Sequence, residues 1–88
     1  MTLTENQAAA MTALIKSCLG EIGGKTLADL QHDPFTWVNA GDLVDAGWGR
    51  KEAEGTFGSL VAADLIYDAD DDMFALISDW AELRKYHA

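Results

Sequence analysis

The sequence is poor in several features that large protein classes require. It has one cysteine and one proline among 88 residues, and six basic side chains against fifteen acidic ones. A single cysteine, Cys18, excludes an internal disulfide, and no cluster of cysteine and histidine has the spacing of a zinc site. The longest uninterrupted apolar run is only a few residues, which excludes a membrane-spanning helix. Residues 1–5 lack the basic and apolar regions of a signal peptide, so we expect a cytoplasmic protein.

The charge balance limits the partners. The net charge is −9 and the sequence pI is about 4.3, which repels nucleic acid at long range and favours partners with a basic surface. Hydrophobic residues make up 49% of the chain, enough to form a core and to exclude a disordered acidic tail. The length fits one small domain spanning residues 1–88. We expect no cofactor and no association with a membrane.

The hydrophobic periodicity predicts a mainly α protein with a small β-hairpin. A capping box at Thr4–Gln7 begins the first helix, and Gly23-Gly24 ends it. Asn39 caps a second helix, and Gly47-Trp48-Gly49 forms a turn before a third. The predicted elements are a helix over 5–22, a short helix over 26–31, a strand over 35–38, a helix-turn-helix over 39–63, a hairpin over 65–77 and a last helix over 79–87.

Two helices joined by a glycine-bearing turn and followed by a hairpin resemble a winged helix-turn-helix domain. Residues 43–49 are similar to the helix, glycine and apolar turn residue of that motif. Residues 60–66 resemble the family's exit from its recognition helix, where Asp64 stands in place of a glycine. The start of the chain, residues 3–7, is similar to the opening helix of MarR-type regulators. The resemblance covers most of the chain and implies a single winged-helix domain.

The resemblance implies that the third helix enters the DNA major groove and that the hairpin is the wing. The residues that would then face DNA are Arg50, Lys51, Glu54 and Ser59. The wing turn over residues 68–72 carries four aspartates, Asp68, Asp70, Asp71 and Asp72, where DNA-binding wings carry basic residues. Few cations therefore lie where phosphate contacts are needed, and the charge disfavours DNA as the partner.

Small residues form a stripe on the third helix. The stripe consists of Gly55, Gly58, Ser59 and Ala62. A glycine inside a helix costs roughly 0.5–1 kcal/mol relative to alanine, so two of them need a reason. One interpretation is that a partner packs against the stripe. The other is that the first or second helix presses on it from inside the domain.

The aspartates also suggest a weak calcium motif. Asp68, Asp70, Asp72 and Asp79 occupy carboxylate positions of an EF-hand loop, but Met73 stands where that loop needs glycine, and Asp79 is shorter than the usual glutamate. A solvated hairpin turn is the simpler interpretation. A third is that the acidic tip meets a basic protein surface.

The remaining candidate residues favour structure over catalysis. His32 lies in a turn and His87 near the C-terminus, each without a positioned nucleophile or base, so the sequence predicts no enzyme. Cys18 is predicted to be a small core residue. We also expect Trp37 and Trp48 to fill the core.

The last helix carries Trp80, Leu83 and Tyr86 on one face. This face could cover the sheet or form a homodimer seam, as terminal helices do in MarR-like proteins. We expect packing within the chain slightly ahead of dimerisation.

Three functional hypotheses follow. The first is a non-enzymatic regulatory or adaptor module that binds a protein partner through the stripe and the acidic wing. The second is a transcriptional regulator that reads operator DNA with helix 50–63. The third is a DNA mimic of phage or mobile-element type, whose carboxylates occupy a basic nucleic-acid-binding protein.

Overall fold

A computed structural model describes residues 4–70 and 73–87. These residues form five helices and a small three-stranded antiparallel sheet. The elements are α1 Glu5–Ile22, α2 Leu27–His32, β1 Trp37–Val38, α3 Ala40–Asp45, α4 Arg50–Ala62, β2 Ile66–Asp70, β3 Met73–Leu76 and α5 Trp80–Leu83. The predicted class, mainly helical with a small β-hairpin, is confirmed at this level.

Helix α1 begins and ends where its sequence signals predict. The Thr4 hydroxyl accepts a hydrogen bond from the Gln7 N–H at 3.1 Å, and the Gln7 side-chain oxygen accepts one from the Thr4 N–H at 2.9 Å. Gly23 takes a left-handed φ of 69°, and the Gly24 N–H donates to the Leu19 carbonyl at 2.9 Å. These bonds satisfy backbone groups that a helix end would otherwise leave without partners.

The next three elements are short. Thr26 caps α2, so this helix begins at Leu27, one residue later than predicted. The predicted strand over 35–38 keeps only its last two residues as β1. Asn39 caps α3 as predicted, with its side-chain oxygen accepting from the Asp42 N–H at 3.2 Å.

The chain leaves the C-terminus of helix α4 through a residue in the left-handed conformation that is not glycine. Asp64 has a φ of 61° and is the only such non-glycine residue in the described part of the chain. The Asp64 N–H donates to the Val61 carbonyl at 3.1 Å, and the Leu65 N–H donates to the Leu60 carbonyl at 3.0 Å. These two hydrogen bonds are those of a Schellman motif. This turn directs the chain from the helix into β2.

Replacing Asp64 by glycine should therefore stabilise the protein by about 1 kcal/mol. Glycine adopts the left-handed conformation without steric cost, and the change removes a negative charge next to a helix C-terminus. Thermal and urea unfolding of Asp64→Gly would measure the gain. Asp64→Asn, which removes the charge but keeps the side-chain size, separates the two contributions. A destabilised glycine variant would contradict this account.

The strands are ordered β1-β3-β2, and both pairs are antiparallel. Strand β2 continues to Asp70 with a bulge between Asp68 and Asp70. The predicted turn over 68–72 was therefore too long, because residues 68–70 belong to the strand. Asp71 and Asp72 lie outside the described residues.

The core lies between α1, the helix pair α3 and α4, and the inner face of the sheet. Fully buried side chains include Met11 and Leu14 of α1, Leu43 of α3 and Leu60 of α4. The Phe57 and Phe74 rings join α4 to the sheet edge-on, with centroids 5.1 Å apart and planes at 89°. Edge-to-face contact is a favoured geometry for aromatic pairs.

The tryptophans do not all lie where the sequence predicts. Trp48 is half-buried and packs on the core as expected. Trp37, in contrast, is 46% exposed, and the prediction that it fills the core was wrong. In an antiparallel strand, neighbouring side chains alternate between faces, and Val38 takes the inner one at 4% exposure.

Helix α5 is shorter than the predicted helix over 79–87. Its regular part ends at Leu83, and a turn follows. Leu83 is fully buried, while Trp80 and Tyr86 pack partly buried against the core. The prediction that this face packs within the chain is confirmed. Among residues 4–70 and 73–87, no helix combines the length and the apolar character needed to cross a membrane.

Candidate functional site

Helix α4 turns one full face to solvent. Ala53, Phe57 and Leu60 point into the core, so the opposite side of the helix is left uncovered. The exposed residues on and beside that side are Arg50, Lys51, Glu52, Glu54, Gly55, Gly58 and Ala62. Most of the stripe and the predicted cations therefore occupy one continuous exposed face.

Neither glycine of the stripe is required by packing inside the domain. Among the described residues, a Cβ atom added at Gly55 or at Gly58 would meet no atom within 4 Å outside the helix's own nearby backbone. Helices α1 and α3 therefore do not press on these positions, and the interpretation that internal packing demands glycine is wrong. The glycines leave a flat strip of exposed backbone on α4.

Ser59 departs from the rest of the stripe. It is half-buried, and its hydroxyl accepts a hydrogen bond from Gln7 Nε2 at 3.2 Å. The same hydroxyl donates to the Thr56 carbonyl at 2.7 Å. This side chain joins α4 to the start of α1, so the predictions that place Ser59 among DNA-facing or partner-facing residues gain no support from its contacts.

The open space around the glycines gives a direct stability prediction. Gly55→Ala and Gly58→Ala should each stabilise the protein by roughly 0.5–1 kcal/mol, since alanine has the higher helix propensity and nothing obstructs its methyl group. Urea unfolding of both single variants and of the double variant measures this effect. Loss of stability in either single variant would show that packing does require the glycine.

The hairpin presents carboxylates at its far end. Asp68 and Asp70 are both exposed. Directly opposite residues of an antiparallel pair share one face of the sheet, and Asp70 pairs with Met73. The Asp70 carboxylate is therefore on the outer face of the sheet. Asp68 pairs with Phe74 on the other side of the bulge, and its side chain is exposed.

The structure opposes the calcium interpretation, because Asp79 has another role. Its carboxylate caps α5 by accepting from the Glu82 N–H at 3.2 Å. Residues 73–76 form β3 instead of a calcium-binding loop. Within the described ranges, no three side chains of the metal-ligating types lie close enough together to hold an ion. Asp72, the remaining predicted ligand, lies outside those ranges.

A second exposed surface lies on the outer face of the sheet. Trp37 and Tyr67 both pair with Ala75, so their side chains lie in one row across the three strands. Met73 is two residues before Ala75 and shares its face. Trp37, Tyr67 and Met73 are 46%, 64% and 50% exposed and are the large hydrophobic residues exposed in the described chain. We call Trp37, Tyr67, Met73 and Ala75 the outer sheet patch.

The pattern of the sequence does not predict this patch. A two-residue strand such as β1 shows too little alternation to separate an inner from an outer side chain. The sequence predicts strands at Tyr67 and Met73. Which residues of the neighbouring strands lie beside them on one face is known only from the register of the sheet. The one signal available was the alternation Ile66-Tyr67, where the apolar isoleucine takes the core side.

Beside the patch, a groove runs between β1 and α1 with a volume of about 280 Å³. Trp37, Met73 and Phe35 provide its apolar walls, and Glu21 and Asp42 provide two carboxylates. No lysine or arginine lines it among the described residues. The Asp42 carboxylate already accepts a hydrogen bond from the Asn39 N–H at 2.8 Å, whereas Glu21 is exposed on α1.

Cys18 is buried next to this groove, and two carboxylates that line the groove affect the pKa of its thiol. The thiol is 1% exposed, and its sulfur contacts the Trp37 carbonyl oxygen at 3.8 Å as a weak donor. Burial raises the pKa of the Cys18 thiol to about 12, and the negative charges of Asp42 and then Glu21 add to the increase. The thiol form is therefore favoured, which confirms Cys18 as a core residue and opposes a nucleophilic role.

Few charges in the described chain neutralise one another directly. The one ion pair between side chains in residues 4–70 and 73–87 joins Lys85 to Glu82 at 2.8 Å. Glu82 raises the pKa of the Lys85 ammonium by accepting its hydrogen bond and by its charge. Hydrogen bonds from the backbone N–H groups of Lys25 and Thr26 lower the pKa of Asp29. The groove and the hairpin aspartates have no such cationic partner in the described structure.

Comparison with protein-family models, with curated proteins and with solved structures gave no match.

Proposed function

We propose that this chain is a winged-helix module that acts without catalysis, by binding a protein partner with a basic surface. The order of its elements supports the proposal: α3 and α4 are joined by a turn, an antiparallel hairpin follows, and β1 pairs with β3. The left-handed φ of Asp64 supports it too, since the family's exit from the recognition helix carries glycine at that place.

The charge on the two candidate contact elements carries the choice of a protein partner. On α4, the exposed Arg50 and Lys51 are offset by Glu52 and Glu54. The hairpin adds Asp68 and Asp70 in the described part, and the sequence continues with two more aspartates. DNA binding depends on several cations at phosphate positions, while this surface is net negative and suits a basic protein.

The exposed glycines support close approach by such a partner. Gly55 and Gly58 carry a helix-propensity cost that internal packing does not explain. With Ala62 they allow another backbone or a long side chain to lie directly against α4. The proposed contact surface is therefore Gly55, Gly58 and Ala62 together with the aspartates of the hairpin.

Operator DNA is the second candidate. Arg50 and Lys51 are both exposed at the start of α4, where a recognition helix would contact phosphates and base edges. Dimerisation would double this small number of cations. A DNA mimic, the third hypothesis, would use the same carboxylates to bind a basic nucleic-acid-binding protein and would never bind DNA.

Titration of a fluorescein-labelled, mixed-sequence DNA duplex with the protein separates these candidates. Anisotropy is measured at low and at physiological salt. We expect no saturable change at either, because the contact surface is net negative. Saturable binding that weakens with salt, and that is lost in Lys51→Ala but kept in Lys25→Ala, would overturn the proposal in favour of a DNA-binding regulator.

The partner itself is sought by affinity capture from cells of the source organism. We expect Gly58→Leu to fold and to lose the partner, because its side chain fills the flat strip. Gly58→Ala is the matched control and should retain most of the binding. A partner kept equally by wild type, Gly58→Ala and Gly58→Leu would show that α4 is not the contact surface. Competition distinguishes a DNA mimic: duplex DNA should displace this chain from the captured protein only if that protein binds nucleic acid at the same surface.

A further inference from the structure

The outer sheet patch is a second exposed surface, and the proposed function does not use it. It joins side chains from all three strands, and its three large members are each about half exposed or more. Monomeric proteins expose single hydrophobic residues freely, but contiguous apolar patches mark binding surfaces. Tryptophan, tyrosine and methionine are also residues that provide much of the energy in protein interfaces.

The surroundings of the patch are acidic at both ends. Asp70 stands on the same face at the hairpin end, beside Met73. At the β1 end, Glu21 and Asp42 line the groove that Trp37 and Met73 also line. The described lining residues of that groove include no lysine or arginine. A ligand that covers the patch must therefore present apolar groups at its centre and positive charge at its ends.

We propose that the outer sheet patch and its acidic groove bind a segment of a partner protein in which apolar side chains are flanked at both ends by lysine or arginine. The apolar groups would cover Tyr67 and Met73. One cation would lie against the exposed Trp37 ring, where the indole attracts it, and within reach of Glu21. The inference rests on the proposed basic partner and assigns it a docking surface distinct from α4.

A second copy of the chain fits this surface poorly. Each copy has a net charge of −9, and pairing two outer faces would bring Asp70 and Glu21 of both copies together. Like charges placed opposite each other oppose association. A cationic segment removes that repulsion, so charge complementarity selects it over self-association.

Two-dimensional NMR of the nitrogen-15-labelled protein tests the assignment with a defined probe. The probe is a capped pentapeptide of three valines flanked by two lysines, and the matched control peptide has glutamate in place of each lysine. We expect saturating shifts at Trp37, Tyr67, Met73 and Glu21 with the lysine peptide, weaker at high salt, and none with the glutamate peptide.

Variants of both surfaces separate the inference from the proposed function. Trp37→Ser should lower the affinity for the lysine peptide about fivefold or more, because it removes a cation–π contact. Glu21→Gln should lower that affinity about twofold to threefold, because it removes one charge contact. Glu21→Gln changes an exposed side chain and so guards against a folding defect in the tryptophan variant. Glu54→Gln on α4 is the matched control and should bind as the wild type does.

Each other outcome overturns the assignment. Shifts confined to α4 and the hairpin, lost in Glu54→Gln, would leave the proposed function standing and move the partner away from the patch. The absence of shifts at millimolar peptide would show that the patch does not bind such a segment. The proposed function would still be tested by affinity capture with Gly58→Leu. Equal binding of the glutamate peptide would exclude charge complementarity. The same shifts on concentrating the protein alone would assign the patch to a second copy.

Discussion

Replacing Leu60 by alanine should lower the free energy of unfolding by about 2–5 kcal/mol. Leu60 is fully buried on the core side of α4, and its carbonyl accepts the Leu65 N–H that closes the exit turn. Truncation removes apolar contacts and leaves a cavity that close-packed neighbours fill only in part. A domain of this size has roughly 5–15 kcal/mol to lose, so the change is a large fraction of the total.

Urea unfolding followed by circular dichroism measures the Leu60→Ala loss. Leu60→Met keeps nearly the same volume and is the matched control, with an expected loss below about 1.5 kcal/mol. The alanine variant should also lose any function that depends on the orientation of α4. A loss near zero for Leu60→Ala would mean that α4 is not packed on α1 and the sheet through this residue.

The Cys18 thiol should react with Ellman's reagent roughly a thousandfold more slowly in the folded protein than after unfolding. Burial and the charges of Asp42 and Glu21 raise its pKa from the ordinary 9.0 to about 12, so at about pH 8 the thiolate is scarcer in the folded state by that factor. The rate of colour development with and without denaturant gives the ratio. Folded and unfolded rates within tenfold of each other would contradict the burial.

The same pKa shift makes stability depend on alkaline pH. Below pH 9 the thiol is protonated in both states, and its contribution is constant. Between pH 9 and 12 the unfolded chain loses the proton while the folded protein keeps it, so stability falls by up to about 1.4 kcal/mol per pH unit. Above pH 12 the loss is complete.

Cys18→Ala isolates this effect. The variant starts less stable because it loses buried sulfur, but the contribution from the thiol to the alkaline slope is absent. Tyr86 also has a pKa raised by burial and by Glu82, and it contributes equally to both proteins. The difference between the two stability profiles therefore reports Cys18 alone. Parallel profiles from neutral pH to pH 12 would contradict a strongly raised thiol pKa.

The two exposed surfaces make different demands on a partner. The α4 face is flat because Gly55 and Gly58 lack side chains, and it favours close backbone approach. The outer sheet patch has large side chains and acidic ends, and it favours a cationic segment with apolar groups. A partner that contacts both would lose binding in Gly58→Leu and in Trp37→Ser, whereas two separate partners would each respond to one variant.

Local signals in the sequence were sufficient for much of the secondary structure. Thr4 and Gln7 satisfy the first N–H groups of α1 by themselves, Gly23 closes that helix, and Asn39 caps α3, so these boundaries need no distant contact. The core face of α1 follows from apolar residues spaced by three and four. The charge of −9, on which the proposal of a basic partner rests, is likewise a property of the sequence.

The candidate surfaces depended on packing between distant segments. A stripe of small residues has the same sequence whether another helix covers it or solvent does, and only the placement of α1 and α3 leaves Gly55 and Gly58 open and turns Ser59 toward Gln7.

Trp37 is apolar enough for a core, but β1 is only two residues long, and pairing with β3 decides which side chain faces inward. The sequence determined the helices, their caps and the charge, because those depend on neighbours along the chain. The tertiary structure alone decided the outer sheet patch and the exposed face of α4, because side chains from separate strands share a surface only after the register is set, and a helix face is open or covered only after its neighbours have packed.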